Sequence, residues 1–279
     1  MNLPLKWHGG KRYLAGRIVG LFPPHIHYVE PFAGGMAVLL SRNPEGVSEV
    51  ANDINRDLMN FWAVLQGGNS FEAFRRLCEA TPFSEDMWRD ADLEMQEWPE
   101  PCAMASDAVV RAWRFFLWCR FSLAGRMKAF TGITKTRTRR GMNNEVSAWL
   151  SCVEGLPQVH ARLRRVLLVN RPALEVIRGQ DGPETLFYVD PPYLHETRTS
   201  PGEYRHEMSE QDHRELLATL RDCKGKVILS GYPSELYDST LNDWRVVDIE
   251  IPNHAAGGVS KRRMTEWLWL NYAASRESA

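Results

Sequence analysis

Segments with strand-like and helix-like patterns alternate at both ends of this 279-residue chain. Short apolar runs rich in branched and aromatic residues predict strands, and apolar residues spaced three or four apart predict the helices between them. Strands that alternate with helices are joined by right-handed crossovers and form a largely parallel sheet. The last two strands follow each other without a helix, which predicts an antiparallel hairpin at the sheet edge. The predicted strands are 25–32, 47–55, 165–170, 185–190, 226–232, 245–252 and 265–272.

The middle of the chain, residues 69–152, has helical apolar spacing and no good strand candidate. Its charges are segregated, because residues 84–100 hold seven acids and one arginine, whereas residues 108–144 hold nine Lys or Arg and no acid. Such segregation allows a chain with a net charge of −1 to present a basic face. We therefore predict one doubly wound α/β domain that carries a helical insertion.

The composition excludes several classes of protein. The five cysteines are scattered and form no C-x-x-C pair, which argues against a disulfide framework or a zinc knuckle and favours reduced thiols. No apolar run reaches membrane-spanning length, and the first twelve residues lack the apolar stretch of a signal peptide. These features predict a cytoplasmic protein with no membrane partner.

Four predicted strands end in residues that are typical of a binding site. Their ends read EPFAGG (30–35), NDIN (52–55), VNRP (169–172) and DPPY (190–193). In an open α/β sheet, ligands bind beyond the carboxyl ends of the strands. Gly34 next to a second glycine allows either a simple turn or a close approach to a ligand. Asp53 lies where nucleotide-binding folds place a carboxylate on ribose hydroxyls, although a helix cap is an equal alternative.

Two histidines in residues 204–213 do not predict a metal site. His206 and His213 are seven positions apart, and the H-E-x-x-H spacing of metal-binding helices is absent. Ser209 with Asp212 three residues later predicts instead a capping box at the start of a helix.

Four motifs identify a resemblance to a known family. LKWHGGKRYL (5–14), YVEPFAGGMAVL (28–39), ANDIN (51–55) and DPPY (190–193) occur in the order seen in DNA adenine methyltransferases of the Dam-like family. The segment SKRRMTEWLWLNY (260–272) is similar to the end of bacterial and phage members. The conjunction of the motifs in order is far more specific than DPPY alone.

The resemblance implies a fold, an activity and a domain organisation. The fold is α/β, a Rossmann-like methyltransferase fold with a mostly parallel sheet, an antiparallel carboxyl-terminal hairpin and an inserted helical target-recognition domain. The activity is transfer of a methyl group from S-adenosylmethionine to the exocyclic amine of adenine in duplex DNA, without a metal. The catalytic domain is expected at 1–66 and 157–279, and the DNA-binding insertion at 67–156.

The same resemblance carries site roles over to residues of this chain. The catalytic candidates are Asp190, Pro191, Pro192 and Tyr193. The candidates for binding the cofactor are Trp7, Lys11, Glu30, Phe32, Gly34, Asp53 and Asp190.

Elementary chemistry explains why an acid and two prolines should end a strand here. The exocyclic amine of adenine is a poor nucleophile, because its lone pair is delocalised into the ring. The Asp190 carboxylate and the Pro191 carbonyl can both accept from the amino hydrogens and free that lone pair. Positive charge grows on the nitrogen during methyl transfer, so preorganised acceptors favour the transition state. Tyr193 is expected to stack on a base flipped out of the duplex.

Basic and polar residues in the insertion and near the carboxyl end are candidates for DNA contact. An irregular segment rich in Arg, Thr, Asn and Gly suits phosphates and base edges, whereas a solvated helix face is the alternative. A cognate restriction endonuclease is a further candidate partner. The DNA-binding candidates are Arg126, Lys128, Lys135, Arg137, Arg139, Arg140, Asn143, Lys261, Arg262 and Arg263.

Two alternatives remain open from the sequence. The same acceptor geometry suits other planar amines, namely RNA adenine, the exocyclic amine of DNA cytosine, or a protein glutamine amide. A catalytically silent DNA-binding module that keeps a cofactor fold is the second alternative, although the intact DPPY opposes it.

Overall fold

The computed structural model describes residues 1–97, 105–131, 136–194, 196, 206–251 and 264–273. Its helices are α1 (Ala15–Val19), α2 (Ala37–Ser41), α3 (Arg56–Gln66), α4 (Gly68–Ala80), α5 (Glu85–Glu97), α6 (Ala105–Phe121), α7 (Asn144–Leu163), α8 (Ala173–Gln180), α9 (Glu210–Arg221) and α10 (Glu235–Thr240). Its strands are β1 (His27–Glu30), β2 (Ser48–Asn52), β3 (Thr138–Arg139), β4 (Met142–Asn143), β5 (Val166–Val169), β6 (Thr185–Val189), β7 (Lys226–Gly231), β8 (Arg245–Ile251) and β9 (Met264–Leu270).

The contacts within the chain define two compact units. The helical unit comprises residues 1–19, 34–44 and 55–170, and the sheet unit comprises residues 20–33, 45–54 and 171–279. Among the described residues, no helix combines the length and the apolar character needed to cross a membrane.

The sheet unit contains six neighbouring strands in the order β2-β1-β6-β7-β9-β8. The pairs β1–β2, β1–β6 and β6–β7 are parallel, whereas β9 is antiparallel to both β7 and β8. This arrangement confirms the predicted mostly parallel α/β fold with an antiparallel carboxyl-terminal hairpin. Every residue of β6 is buried, as expected for a central strand covered on both faces. The carboxyl ends of β1, β2, β6 and β7 therefore lie at one edge of the sheet.

The helical unit is built around α3, which packs on α4, α6 and α7. The Asn55 side chain accepts from the Leu58 backbone N–H and caps the start of α3. Phe61, Trp62 and Phe116 are fully buried, and each large apolar side chain removed from water contributes about 1.5–3 kcal/mol. In the aromatic segment 116–121, every residue except Trp118 is buried.

The described basic residues of 108–144 do not form one exposed face. Arg111 is buried against Asp57, with 2.5 Å between its Nε and the carboxylate Oδ1. Arg114 pairs with Glu94 at 2.9 Å. Arg120 is also buried and donates to a backbone carbonyl. These three arginines therefore do not contribute to the basic face that the charge segregation allows, because α6 packs on both α3 and the acid-rich α5.

Two further local predictions concern the start of α9 and the strand content of residues 69–152. Ser209 and Asp212 form the predicted capping box at the start of α9, with reciprocal bonds between each side chain and the other backbone N–H. The expectation that residues 69–152 lack strands is wrong, since β3 and β4 form a short antiparallel hairpin. Arg140 and Gly141 turn it with φ of 56° and 73°, the left-handed backbone of a type I′ turn. Two-residue strands are too short to give a periodic signal.

Candidate active site

The DPPY corner begins where the fully buried strand β6 ends. Pro191 and Pro192 have no N–H to continue the ladder, so the strand stops at Val189 and the chain turns. Asp190 is partly exposed, whereas Tyr193 is buried with 7% of its surface exposed. The corner therefore holds a carboxylate that solvent or a ligand can reach.

The Tyr193 hydroxyl lies between two carboxylates. It donates a short hydrogen bond to Glu266 Oε1 on β9, and Asp190 Oδ1 lies 3.4 Å away. The Tyr193 ring packs edge-to-face on Tyr232, with 4.7 Å between the ring centroids. Burial first, then the charges of Asp190 and Glu266, raise the pKa of Tyr193 well above its usual value, so the phenol stays protonated. The predicted stacking of this ring on a base stays a prediction.

A second buried phenol shows how the acids converge at this edge of the sheet. Tyr188 shares a hydrogen bond of 3.0 Å with Ser230 Oγ. Burial raises its pKa well above the usual value, and Asp190, Glu266 and Glu30 add to that rise. Glu30 accepts from the Tyr28 hydroxyl at 2.6 Å. The ends of β1, β6 and β9 thus bring three carboxylates around one group of phenols.

The Asn52 side chain joins the loop after β1 to the loop before α8. Its amide nitrogen donates to the carbonyls of Pro31 at 2.8 Å and Arg171 at 3.0 Å. Its amide oxygen accepts from the Arg171 N–H at 2.9 Å. The cofactor candidates Phe32 and Asp53 follow these anchored positions and are partly exposed.

In the helical unit, the motif around Trp7 packs against the glycine turn. A Cβ added to Gly34, which has φ of +47°, would lie 2.8 Å from the indole Nε1 of Trp7. The Trp62 Nε1 donates to the Gly34 carbonyl at 3.1 Å. Because Gly34 has no side chain, the Trp7 ring can approach its backbone closely. Lys11 is buried, and its Nζ donates to the Gly9 carbonyl at 3.0 Å.

A second glycine, Gly125, lies against the backbone just before Trp7. Gly125 has φ of +71°, and an added Cβ would lie 2.0 Å from the Lys6 carbonyl oxygen. The Lys6 Nζ pairs with Glu145 at 3.0 Å. Residues 6 and 7 thus pass between two glycine-containing turns of the helical unit.

Six of the predicted DNA-binding residues are described, and all six are exposed. Arg140 pairs with Glu154 at 3.1 Å and also donates to Ser151. The Asn143 side chain accepts from two backbone N–H groups and caps α7, a structural role that the sequence analysis missed. Lys135, Lys261, Arg262 and Arg263 lie outside the described residues. The six exposed residues are Arg126, Lys128, Arg137, Arg139, Arg140 and Asn143.

The described part of the chain contains no group of three or more His, Cys, Asp or Glu side chains arranged to hold a metal. His213 is buried, and its Nδ1 lies 2.9 Å from the Tyr237 hydroxyl, while His206 is exposed on the segment before α9.

Glu266 and Asn52 are the site residues that sequence reasoning missed. The alternation of β9 carried a signal for the first, because Glu266 is in phase with the buried Leu268 and Leu270. An acid on the apolar face of a strand needs a hydrogen-bonding partner. Asn52 had a weaker signal, since it ends a strand beside the singled-out Asp53.

Comparison with known families adds to this geometry. Residues 7–96 match the model of the D12 class N6 adenine-specific DNA methyltransferase family. This match agrees with the predicted resemblance to Dam-like adenine methyltransferases. The function is adenine-specific methylation of DNA, as predicted, and neither the other planar amines nor a silent DNA-binding module is favoured.

The family implies S-adenosylmethionine as the methyl donor. The matched residues include the cofactor candidates from Trp7 to Asp53 and end before the DPPY corner. A search of curated proteins found no match.

Proposed function

We propose that this adenine methyltransferase activates the amine of a flipped adenine at the DPPY corner, with Asp190 and the Pro191 carbonyl as the two acceptors. The observation that carries the proposal is the position of Asp190. It is partly exposed directly after a fully buried strand, at the edge of the sheet where α/β folds bind ligands.

The two acceptors act on the amino hydrogens of the base. Accepting both hydrogens draws the nitrogen toward tetrahedral geometry and frees its lone pair for attack on the methyl carbon. The two prolines restrict the backbone, so the acceptors need little reordering when substrate binds. Because positive charge grows on the nitrogen, the carboxylate stabilises the transition state more than the ground state.

The residues present suit the methyl donor that the family implies. When bound, S-adenosylmethionine supplies a methyl group on a cationic sulfur. Glu30, Asp190 and Glu266 converge around Tyr188, and such a group of carboxylates attracts a cation. We assign the donor's ribose to Asp53, and we assign its binding also to Trp7, Lys11, Phe32 and Gly34.

The decisive experiment replaces Asp190 and measures methyl transfer to duplex DNA from donor carrying a tritiated methyl group. Asp190→Ala is expected to lower the single-turnover rate by about a hundredfold or more, because a preorganised acceptor is lost. Asp190→Asn keeps an acceptor oxygen but loses the negative charge, so its loss of rate should be smaller. Duplex affinity should change by less than about threefold, since affinity comes mainly from phosphate contacts. Asp248→Asn, at an exposed position of β8, is the matched control and should retain wild-type activity. A fully active Asp190→Ala enzyme would refute the assignment.

We further propose that exposed cations of the β3–β4 hairpin contact DNA phosphates. Each phosphate contact adds about 0.9 to the slope of the logarithm of affinity against the logarithm of salt concentration. Arg137→Ala and Arg139→Ala should each lower that slope by about one. Arg89→Ala, on the acid-rich α5 where it pairs with Glu85, is the control and should leave the slope unchanged. An unchanged slope in both hairpin variants would exclude these contacts.

The target sequence can be read from plasmid DNA of cells that express the enzyme, by sequencing that detects methylated adenine. We propose a cytoplasmic location, because the substrate is DNA and the described cysteines are free thiols. A cognate restriction endonuclease is proposed as a partner, and co-purification from the native host would test it.

A further inference from the structure

Glu266 is an acid on a strand face that is otherwise apolar. Only 2% of its surface is exposed, and the in-phase Leu268 and Leu270 are fully buried. A buried carboxylate is unfavourable unless it accepts hydrogen bonds. Its short bond from the Tyr193 hydroxyl meets that need and reaches from β9 to the DPPY corner.

The Tyr193 hydroxyl has one proton and two carboxylates within reach. Its oxygen lies 3.4 Å from Asp190 Oδ1, at the outer limit of a hydrogen bond, whereas its contact with Glu266 Oε1 is much shorter. The proton is therefore directed to Glu266. The Tyr193 proton is therefore not donated to Asp190 Oδ1.

Packing restricts the orientation of the Tyr193 ring. The ring is buried and packs edge-to-face on Tyr232 at a centroid distance of 4.7 Å. The ring plane is therefore fixed by packing, while rotation about the C–O bond decides which carboxylate receives the proton.

We propose that Glu266 is a positioning residue for methyl transfer, which accepts the Tyr193 proton and so prevents the phenol from competing with the substrate amine at Asp190 Oδ1. The inference rests on the proposed role of Asp190 as acceptor. Without Glu266, the phenol turns its proton to Asp190 and competes with the amine for the same oxygen.

A double-mutant cycle with substitutions at Glu266 and Tyr193 tests this proposal. Glu266→Leu should lower the single-turnover rate by about tenfold or more, with little change in KM for duplex DNA, because the lost interaction acts on the reacting centre. Glu266→Gln keeps an amide oxygen as acceptor and should stay within about threefold of wild type.

The sharpest arm of the cycle adds Tyr193→Phe, which keeps the ring but removes the competing proton. In that background Glu266→Leu should have less than about a twofold effect, so the double variant is faster than Glu266→Leu alone. A double variant that is as slow as, or slower than, Glu266→Leu would overturn the proposal. Should Glu266→Leu fail to fold by circular dichroism, Glu266→Met repeats the comparison in both backgrounds.

The Asp190→Ala variant distinguishes the role of Glu266 from the role of Asp190. An active Asp190→Ala enzyme would remove the acceptor role itself, and with it the reason for Glu266. An inactive Asp190→Ala enzyme combined with additive effects at Glu266 and Tyr193 would overturn only the positioning role.

Discussion

Replacing Gly125 by alanine should destabilise the enzyme far more than the backbone angle alone explains. Gly125 and Gly141 have nearly the same φ, +71° and +73°, so an alanine at either position pays the same left-handed cost, roughly 1–2 kcal/mol. Both substitutions also reduce the entropy of the unfolded chain equally, which cancels in the comparison. The two sites differ in their neighbours. Nothing lies within 4 Å of a Cβ at Gly141, whereas the Lys6 carbonyl oxygen would lie 2.0 Å from one at Gly125.

The clash sets the size of the expected difference. A backbone carbonyl cannot move aside as a flexible side chain does, so residues 6 and 7 must shift. Overpacking of this kind costs about 1–3 kcal/mol, and loss of the part-buried Lys6–Glu145 pair adds about 0–1 kcal/mol. We expect Gly125→Ala to lower the free energy of unfolding by about 1–4 kcal/mol more than Gly141→Ala.

Urea unfolding followed by circular dichroism measures both variants against wild type. Equal free energies of unfolding for Gly125→Ala and Gly141→Ala, within about 0.5 kcal/mol, would refute the proposed docking of the amino-terminal motif. The folded Gly125→Ala protein should also bind the methyl donor more weakly, since the displaced segment carries Trp7.

Three other substitutions or reactions test separate parts of the structure. Asp57→Ala leaves Arg111 without its buried carboxylate and should cost about 3–5 kcal/mol in urea unfolding; a cost below about 1 kcal/mol would contradict the buried pair. Ser209→Ala should cost about 1 kcal/mol at neutral pH. Hydrogen bonds from the Ser209 hydroxyl and then from its backbone N–H lower the pKa of Asp212. The part of the stabilisation that comes from the hydroxyl bond to the carboxylate is present above about pH 4 and is lost as the pH falls through the lowered native pKa. The destabilisation by Ser209→Ala should therefore become smaller in acid, and a destabilisation that grows in acid would refute this role. Burial raises the pKa of Cys223 to about 12, so iodoacetamide at about pH 8 should label it slowly, and rapid labelling detected by mass spectrometry would contradict its burial.

Much of the fold was predictable because local pattern and tertiary environment agree. The bounds of α3 follow from local signals, since Asn55 caps its start and a glycine pair follows its end. The sheet strands were likewise visible, because each parallel strand is a short buried run. The DPPY corner was predictable in outline, since prolines end a strand by removing its donors.

The parts that were missed depend on contacts between segments distant in sequence. A count of charges cannot tell that Arg111 turns inward to Asp57, because the partner lies 54 positions earlier in the chain. Equally, the glycine at Gly34 predicted a close approach without saying that the Trp7 indole makes it. Glu266 was in phase with buried leucines, yet its partner Tyr193 becomes known only when β9 is placed beside β7.

The place of β9 in the sheet has a consequence for when activity first arises in the cell. Seventy-three positions separate Tyr193 from Glu266, and β8 joins the sheet through β9. A nascent polypeptide still lacking β9 on the ribosome holds the complete DPPY sequence but not the carboxylate that orients its phenol. We therefore expect chains that end before β9 to methylate DNA poorly, because they lack both Glu266 and the strand that joins β7 to β8.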